Sequence, residues 1–119
     1  MSIASNKELG SRFFQEQDRL RGGPAEELCA PSYTAYIASS PPRDLAGHQQ
    51  FARVFYGAFP DLRHEIEETV ADEAKVAVRF TLHGTHTGNF LGISVTGKKV
   101  VIPALAILHV TDGKVTELR

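Results

Sequence analysis

Apolar positions in this chain follow two periods, and the switch between them falls at Pro60. Before it, Phe51, Val54, Phe55, Ala58 and Phe59 recur at i, i+3, i+4, i+7 and i+8, the spacing of one helix face. Asp44 is placed to cap that helix and Pro60 to end it. An earlier helix is expected from about Asn6, capped by Ser5 with Glu8 reaching back as a capping box. Leu9, Phe13, Phe14 and Leu20 give it an apolar face, and Gly22-Gly23 supply a left-handed end. Pro24 suits the first turn of a short helix running to Cys29 and closed by Pro31. Tyr33–Ile37 then has the β-branched and aromatic content of a short strand, and Ser39-Ser40-Pro41-Pro42 reads as a loop.

Beyond Pro60 the period is two. Leu62, His64 and Ile66 alternate with Arg63, Glu65 and Glu67, and Val76, Val78, Phe80 and Leu82 repeat the pattern. Val100–Val110 is almost wholly apolar, so both its faces are expected to be covered. Asp112-Gly113 is a two-residue hairpin signal that pairs Thr111 with Lys114, and by extension His109 with Thr116 and Leu108 with Glu117. Three helices followed by antiparallel strands predict an α+β fold, a curved sheet wrapping the helices and leaving a pocket between them. The phenylalanine stripe is expected to lie on Val76, Val78 and Phe80.

Composition narrows the function. The chain has 119 residues, the length of one domain over 1–119. Its 13 lysines and arginines against 14 acidic residues form no block of either sign, so nucleic acid and acidic membranes are not expected partners. No stretch reaches the roughly 20 apolar residues of a membrane span, and the first residues lack the apolar run of a leader. A cytoplasmic protein is expected. Cys29 is the lone cysteine, which excludes an intrachain disulfide and suits core filling.

Two runs carry most of the remaining information: Phe59-Pro60-Asp61-Leu62 after the helix, and Gly84-Thr85-His86-Thr87-Gly88 followed by Phe90-Leu91-Gly92. With Gly47, Thr96-Gly97-Lys98-Lys99 and Asp112–Glu117, they make the chain resemble the SnoaL-like polyketide cyclases of the nuclear transport factor 2-like superfamily. The resemblance implies a cone-shaped fold, a small hydrophobic ketone-bearing substrate, and cyclase or isomerase chemistry by proton transfer without a cofactor. A non-catalytic binding module and a hydrolase or dehydratase are the alternatives on this scaffold. Family cyclases use an aspartate on or just past the final strand. The sequence stops at Glu117-Leu118-Arg119, so either a C-terminal segment is missing or that aspartate is not used.

His86 and His64 are the candidate catalytic residues, His86 at the pocket edge and His64 on the face shared with Leu62 and Ile66. Tyr36, Phe55, Phe59 and Phe90 are the candidate substrate-binding residues, a phenol being a donor to a ketone or enolate oxygen. His83 with His86 lacks a third ligand nearby, so no metal is expected. His48, opposite the phenylalanine stripe, and His109 are expected at the surface, and Glu117 in an ion pair. The apolar last long strand predicts a homodimer that covers the outer sheet face.

Overall fold

The structure is a computed structural model that describes residues 2–90 and 92–119. Leu91 of the Phe90-Leu91-Gly92 run, like Met1, lies outside those residues. Two α-helices and five strands follow in the order α1 (Ile3–Leu20), β1 (Cys29–Ala35), α2 (Leu45–Ala58), β2 (Arg63–Ala71), β3 (Lys75–Thr85), β4 (Lys99–Thr111) and β5 (Lys114–Leu118). The short helix expected from Pro24 to Cys29 is reduced to a 3-10 turn, Glu26–Leu28, before β1 begins. Pro31 therefore sits within β1 and not at a helix end. It is exposed near an irregular stretch of the pairing, where its missing N–H costs no ladder bond.

Helix α1 starts three residues earlier than Asn6, because Ser2 is the cap and accepts from the Ser5 N–H at 3.0 Å. It ends one residue before the glycine pair, with Arg21 itself left-handed at φ 56°. Helix α2 is capped as expected by Asp44, whose carboxylate accepts from Gly47 N–H at 2.8 Å.

The strands form one curved sheet in the order β1-β5-β4-β3-β2. It is mixed and not wholly antiparallel, since β1 pairs parallel with β5. The β4–β5 hairpin turns at Asp112-Gly113, both at positive φ, and joins Thr111 to Lys114. A bulge follows that shifts the expected register, so His109 pairs with Glu117 and Leu108 with Leu118. Leu118 thereby faces the core and Glu117 turns outward to Arg119 at 2.7 Å and His109 at 3.4 Å.

Helix α1 covers the concave face. Gly10 makes this possible, because a Cβ there would meet the methyls of Val76 and Val78 at 2.9 and 3.0 Å. Phe13, Phe14, Tyr33, Val76, Val78, Phe80, Ala106 and Leu108 form the core beneath it. The phenylalanine stripe of α2 does not pack on these strands as the periodicity predicts. The buried α2 positions are His48, Ala52, Tyr56 and Ala58, a face rotated by one residue, and the phenylalanines flank it. Nor is β4 covered on both sides: Val101, Leu105 and Ile107 are exposed on the outer face, Leu105 by 64%. Among the described residues no helix is long and apolar enough to cross a membrane.

Candidate active site

Two polar groups occur within the aromatic interior, each assembled from distant parts of the chain. The first joins α1, α2 and β2. Asp18 Oδ1 accepts from the Tyr56 hydroxyl at 2.7 Å and pairs with His64 Nδ1 at 2.7 Å, while Oδ2 accepts from the His64 backbone N–H at 2.7 Å. His64 reaches the interior because it lies on the β2 face of Ile66, opposite Leu82 of β3. Its ring lies 5.1 Å from that of Phe14 and 5.0 Å from that of Phe80, and its side chain is 9% exposed.

Burial by itself would raise the Asp18 carboxyl, but three hydrogen bonds from His64 and Tyr56, with the His64 charge, outweigh it and bring it below its ordinary value. Asp18 is thus an anion that only accepts. Tyr56 is raised, chiefly by burial and then by its bond to Asp18, and keeps its proton. Arg21 lies over the Tyr56 ring at 4.7 Å and donates to Leu62 O at 2.7 Å, closing the group against solvent.

The second group joins β1 to α2. The Tyr33 hydroxyl lies 2.8 Å from His48 Nδ1, with the rings stacked at 5.9 Å. Both residues are buried, so the expectation of a surface His48 is wrong: the burial face of α2 runs through it. Burial, then the nearby charges of Arg43 and His64, push His48 down to about 4, and burial raises Tyr33. The groups are linked through rings: Tyr33 to Phe13 at 6.1 Å, Phe13 to Phe14 at 5.1 Å, and Phe14 to His64. Gln17, one turn beyond Phe13 and Phe14, is also buried there with its Nε2 unpaired.

The other expected site residues gather elsewhere. Phe55 and Phe59 pack on Phe90 at 5.0 and 5.9 Å, and Phe59 on His86 at 5.3 Å. His86 Nδ1 pairs with Thr96 Oγ1 at 3.0 Å, its backbone N–H donates to Lys98 O, and its carbonyl accepts from Gly97 N–H. Its Nε2 is buried without a partner among the described residues. Asp61 accepts from the Thr85 N–H and hydroxyl at 2.7 and 2.8 Å, and these bonds hold its carboxyl below the usual range. Thr87 and Gly88 N–H donate to Ala58 O, capping the end of α2. A Cβ at position 88 would fall on the Gly57 carbonyl oxygen and 3.1 Å from the Ala58 Cα. The two sequence runs are therefore halves of one latch between α2 and the β3–β4 connection.

Tyr36 lies past the end of β1, its ring covered by the Arg119 guanidinium at 4.1 Å. Tyr33, three residues before it, carries a phenol into the interior instead. An open hollow of about 630 Å³ lies outside, lined by Glu26, Glu27, Cys29, Ala30, Pro31 and Leu45. Leu45 lies one helical turn before His48, which does not itself line the hollow. No three His, Cys, Asp or Glu side chains among the described residues converge to hold a metal ion.

The family model described as SnoaL-like polyketide cyclase matches residues 11–119. AclR from Streptomyces galilaeus, a proposed hydroxylase, is 29% identical with a TM-score of 0.86, over 98% of this chain and 87% of that one. A proposed SnoaL-like polyketide cyclase from Jannaschia sp. CCS1 is 24% identical with a TM-score of 0.84, over 98% and 84%. IdmH from Streptomyces antibioticus, a proposed polyketide cyclase, is 25% identical with a TM-score of 0.72, over 97% and 86%. No curated protein gives a significant match.

Proposed function

The chain belongs to the SnoaL-like polyketide cyclase family, and on that premise we propose that it cyclises or isomerises a ketone-bearing, small hydrophobic molecule by proton transfer, with His64 as the proton-transfer group and 1–119 as one domain. One observation carries this reading: the 2.7 Å bond between Asp18 and His64 Nδ1 within an aromatic wall. An ionised carboxylate only accepts, so Nδ1 donates to it and Nε2 is the ring nitrogen left to exchange a proton. Nε2 makes no hydrogen bond to a described residue, which leaves it available as a base. Asp18 orients the ring and stabilises the imidazolium formed when the proton arrives.

In the reaction, the C–H bond α to a carbonyl breaks and its proton passes to His64 Nε2. The electron pair enters the carbon–carbon bond of an enolate. Return of the proton at another carbon completes an isomerisation. Attack of the enolate carbon on a second carbonyl of the folded substrate closes a ring instead, the new alkoxide taking the proton from His64. His86, bound into the latch, positions the β3–β4 connection in this reading. The test is His64→Gln, expected to lower turnover of a diketide-type aromatic ketone at least a hundredfold, the scale of one lost acid–base group. Undiminished turnover overturns the assignment.

The outer sheet face supports a homodimer. Val101, Leu105 and Ile107 form an exposed apolar row, and pairs of both signs, Arg79–Glu68 and His83–Glu65, border it. A second copy turned by a two-fold axis meets that face with the same row. Sedimentation should show a dimer at micromolar concentration and a monomer for Leu105→Glu; a monomeric wild type overturns this.

A further inference from the structure

Every arginine of the chain is exposed except Arg43, which is half-buried where the chain enters α2. Its backbone is fixed to β1: its N–H donates to Ala35 O at 2.9 Å, and its carbonyl accepts from Ala35 N–H at 2.7 Å. From there the side chain runs along the helix. Residues 43, 47 and 51 follow one another at i, i+4 and i+8, on one face. Gly47 keeps the space between them open, because a Cβ there would stand 3.4 Å from Arg43 Cβ and 3.1 Å from Asp44 Oδ1. The guanidinium comes to rest over the Phe51 ring, 4.3 Å from its centroid.

That charge has no counter-ion. Arg19, Arg79 and Arg119 each pair with a glutamate, whereas Arg43 pairs with no carboxylate among the described residues. The neighbouring Asp44 is turned to the helix, where it accepts from Gly47 N–H at 2.8 Å, and Arg43 Nε is buried without a partner among the described residues. A guanidinium drawn partly out of water with nothing opposite it is costly, and a bound anion offsets that cost. Held over a ring, it still offers in-plane N–H groups that match the two oxygens of a carboxylate. Beyond Phe51 the aromatic surface continues, Phe51 to Phe55 at 4.9 Å and Phe55 to Phe90 at 5.0 Å. All three rings are half-buried and Val54 beside them is 38% exposed, so the surface is open to a ligand.

We propose that Arg43 and the phenylalanine flank of α2 form a binding site for an aromatic carboxylate, its carboxylate on the Arg43 guanidinium and its ring along Phe51 and Phe55. The cation supplies selectivity for an acid over an uncharged molecule of the same shape, and the rings supply the apolar contact that a bare anion lacks. The site shares no residue with the Asp18–His64 group and does not depend on the role given to His64.

The test is titration calorimetry with 1-naphthoate and with 1-naphthamide, its uncharged analogue of nearly the same shape. The wild type should bind the acid at least about tenfold more tightly than the amide, the scale of a hydrogen-bonded contact to a charged group, and added salt should narrow the gap. Nitrogen-15 spectra should place the largest amide shifts caused by the acid at 43–55 and at Phe90. Arg43→Gln, which keeps the backbone bonds to Ala35, should retain the fold by circular dichroism and bring the acid down to the affinity of the amide. Phe55→Leu should weaken both probes alike. Equal affinity for acid and amide in the wild type, no binding of either, shifts centred elsewhere, or a preference that survives in folded Arg43→Gln overturns the site. The acid–amide comparison and the spectra need no variant, so they decide the matter even where Arg43→Gln does not fold.

Discussion

The latch and the interior polar groups differ in how their residues are distributed along the chain. The latch is built from two short runs, 57–62 and 84–90, with Thr96-Gly97-Lys98 closing over them. Its residues are small or turn-forming types whose spacing is set by the local backbone, which makes it a recognisable motif. The interior groups draw Asp18, Tyr33, His48, Tyr56 and His64 from four elements. Nothing in local spacing relates Asp18 to His64, so only the fold brings them together. The contrast teaches that the most recognisable run of a family can be its backbone geometry, while its buried polar groups sit in unremarkable positions.

The largest expected effect separates the core beneath α1 from the aromatic flank of α2. Phe13 is fully buried, so Phe13→Ala should cost about 3–5 kcal/mol in chemical denaturation. Phe55 is half-buried against Phe51 and Phe90, and Phe55→Ala should cost about 1 kcal/mol. Equal losses would erase the distinction between core and flank.

Next comes a pH dependence that belongs to the interior. His48 titrates near 4 when folded and near its ordinary 6.5 when unfolded, so the unfolded chain binds more protons between these values. Stability should therefore be complete above about pH 6.5 and fall as pH drops toward 4, by about 3 kcal/mol in all. His48→Gln should remove this slope. Asp18 and Asp61, both held below their ordinary values, add losses that begin only as pH falls below about 4. A flat stability profile between pH 4 and 6.5 in the wild type would contradict the buried, neutral His48.

The latch should respond in stability and not in chemistry. Gly88→Ala forces a side chain onto the Gly57 carbonyl and should cost about 2–3 kcal/mol. Smaller again, Asp61→Asn weakens the bonds to Thr85 and His86→Gln the bond to Thr96, and each should lower the melting temperature by a few degrees. The folded fraction of both should turn over substrate at the wild-type rate. A tenfold loss of turnover in His86→Gln at full occupancy of the fold would move His86 from the latch into the site.

Much of the fold was legible. The α2 boundaries follow from Asp44 and Pro60, and the Asp112-Gly113 hairpin is where its turn chemistry puts it. Two errors share a cause: periodicity gives which residues are apolar, not which apolar face another element will cover. The α2 stripe is displaced from the burial face by one residue, and β4 keeps an exposed apolar side. The short helix after Pro24 shrinks to a single turn because β1 recruits Cys29 and Ala30 by pairing with β5, a strand far away in sequence. In the candidate site, His64 could be placed inward by alternation on β2. Asp18, Tyr33 and His48 could not, since a polar residue on a helix or short strand reads as solvated until its distant partner is known. The one available sign for His48 was that it lies four residues before Ala52 and eight before Tyr56, a second, weaker stripe beside the phenylalanines.

The parallel pairing of β1 with β5 also bears on how the molecule is made. Cys29 aligns with Val115 and Ala35 with Leu118, so closing the sheet edge that holds Tyr33 means joining segments with most of the polypeptide between them. During synthesis α1, α2 and the β2–β3 pair emerge first, and β1 waits without a neighbour until β5 is released. The entropy of closing so long a loop must be met before those contacts repay it, which makes this edge a late step in folding and the slow one. Until then His48 lacks its Tyr33 partner, so that buried hydrogen bond should form only with β5, after most of the helix and sheet signal has appeared.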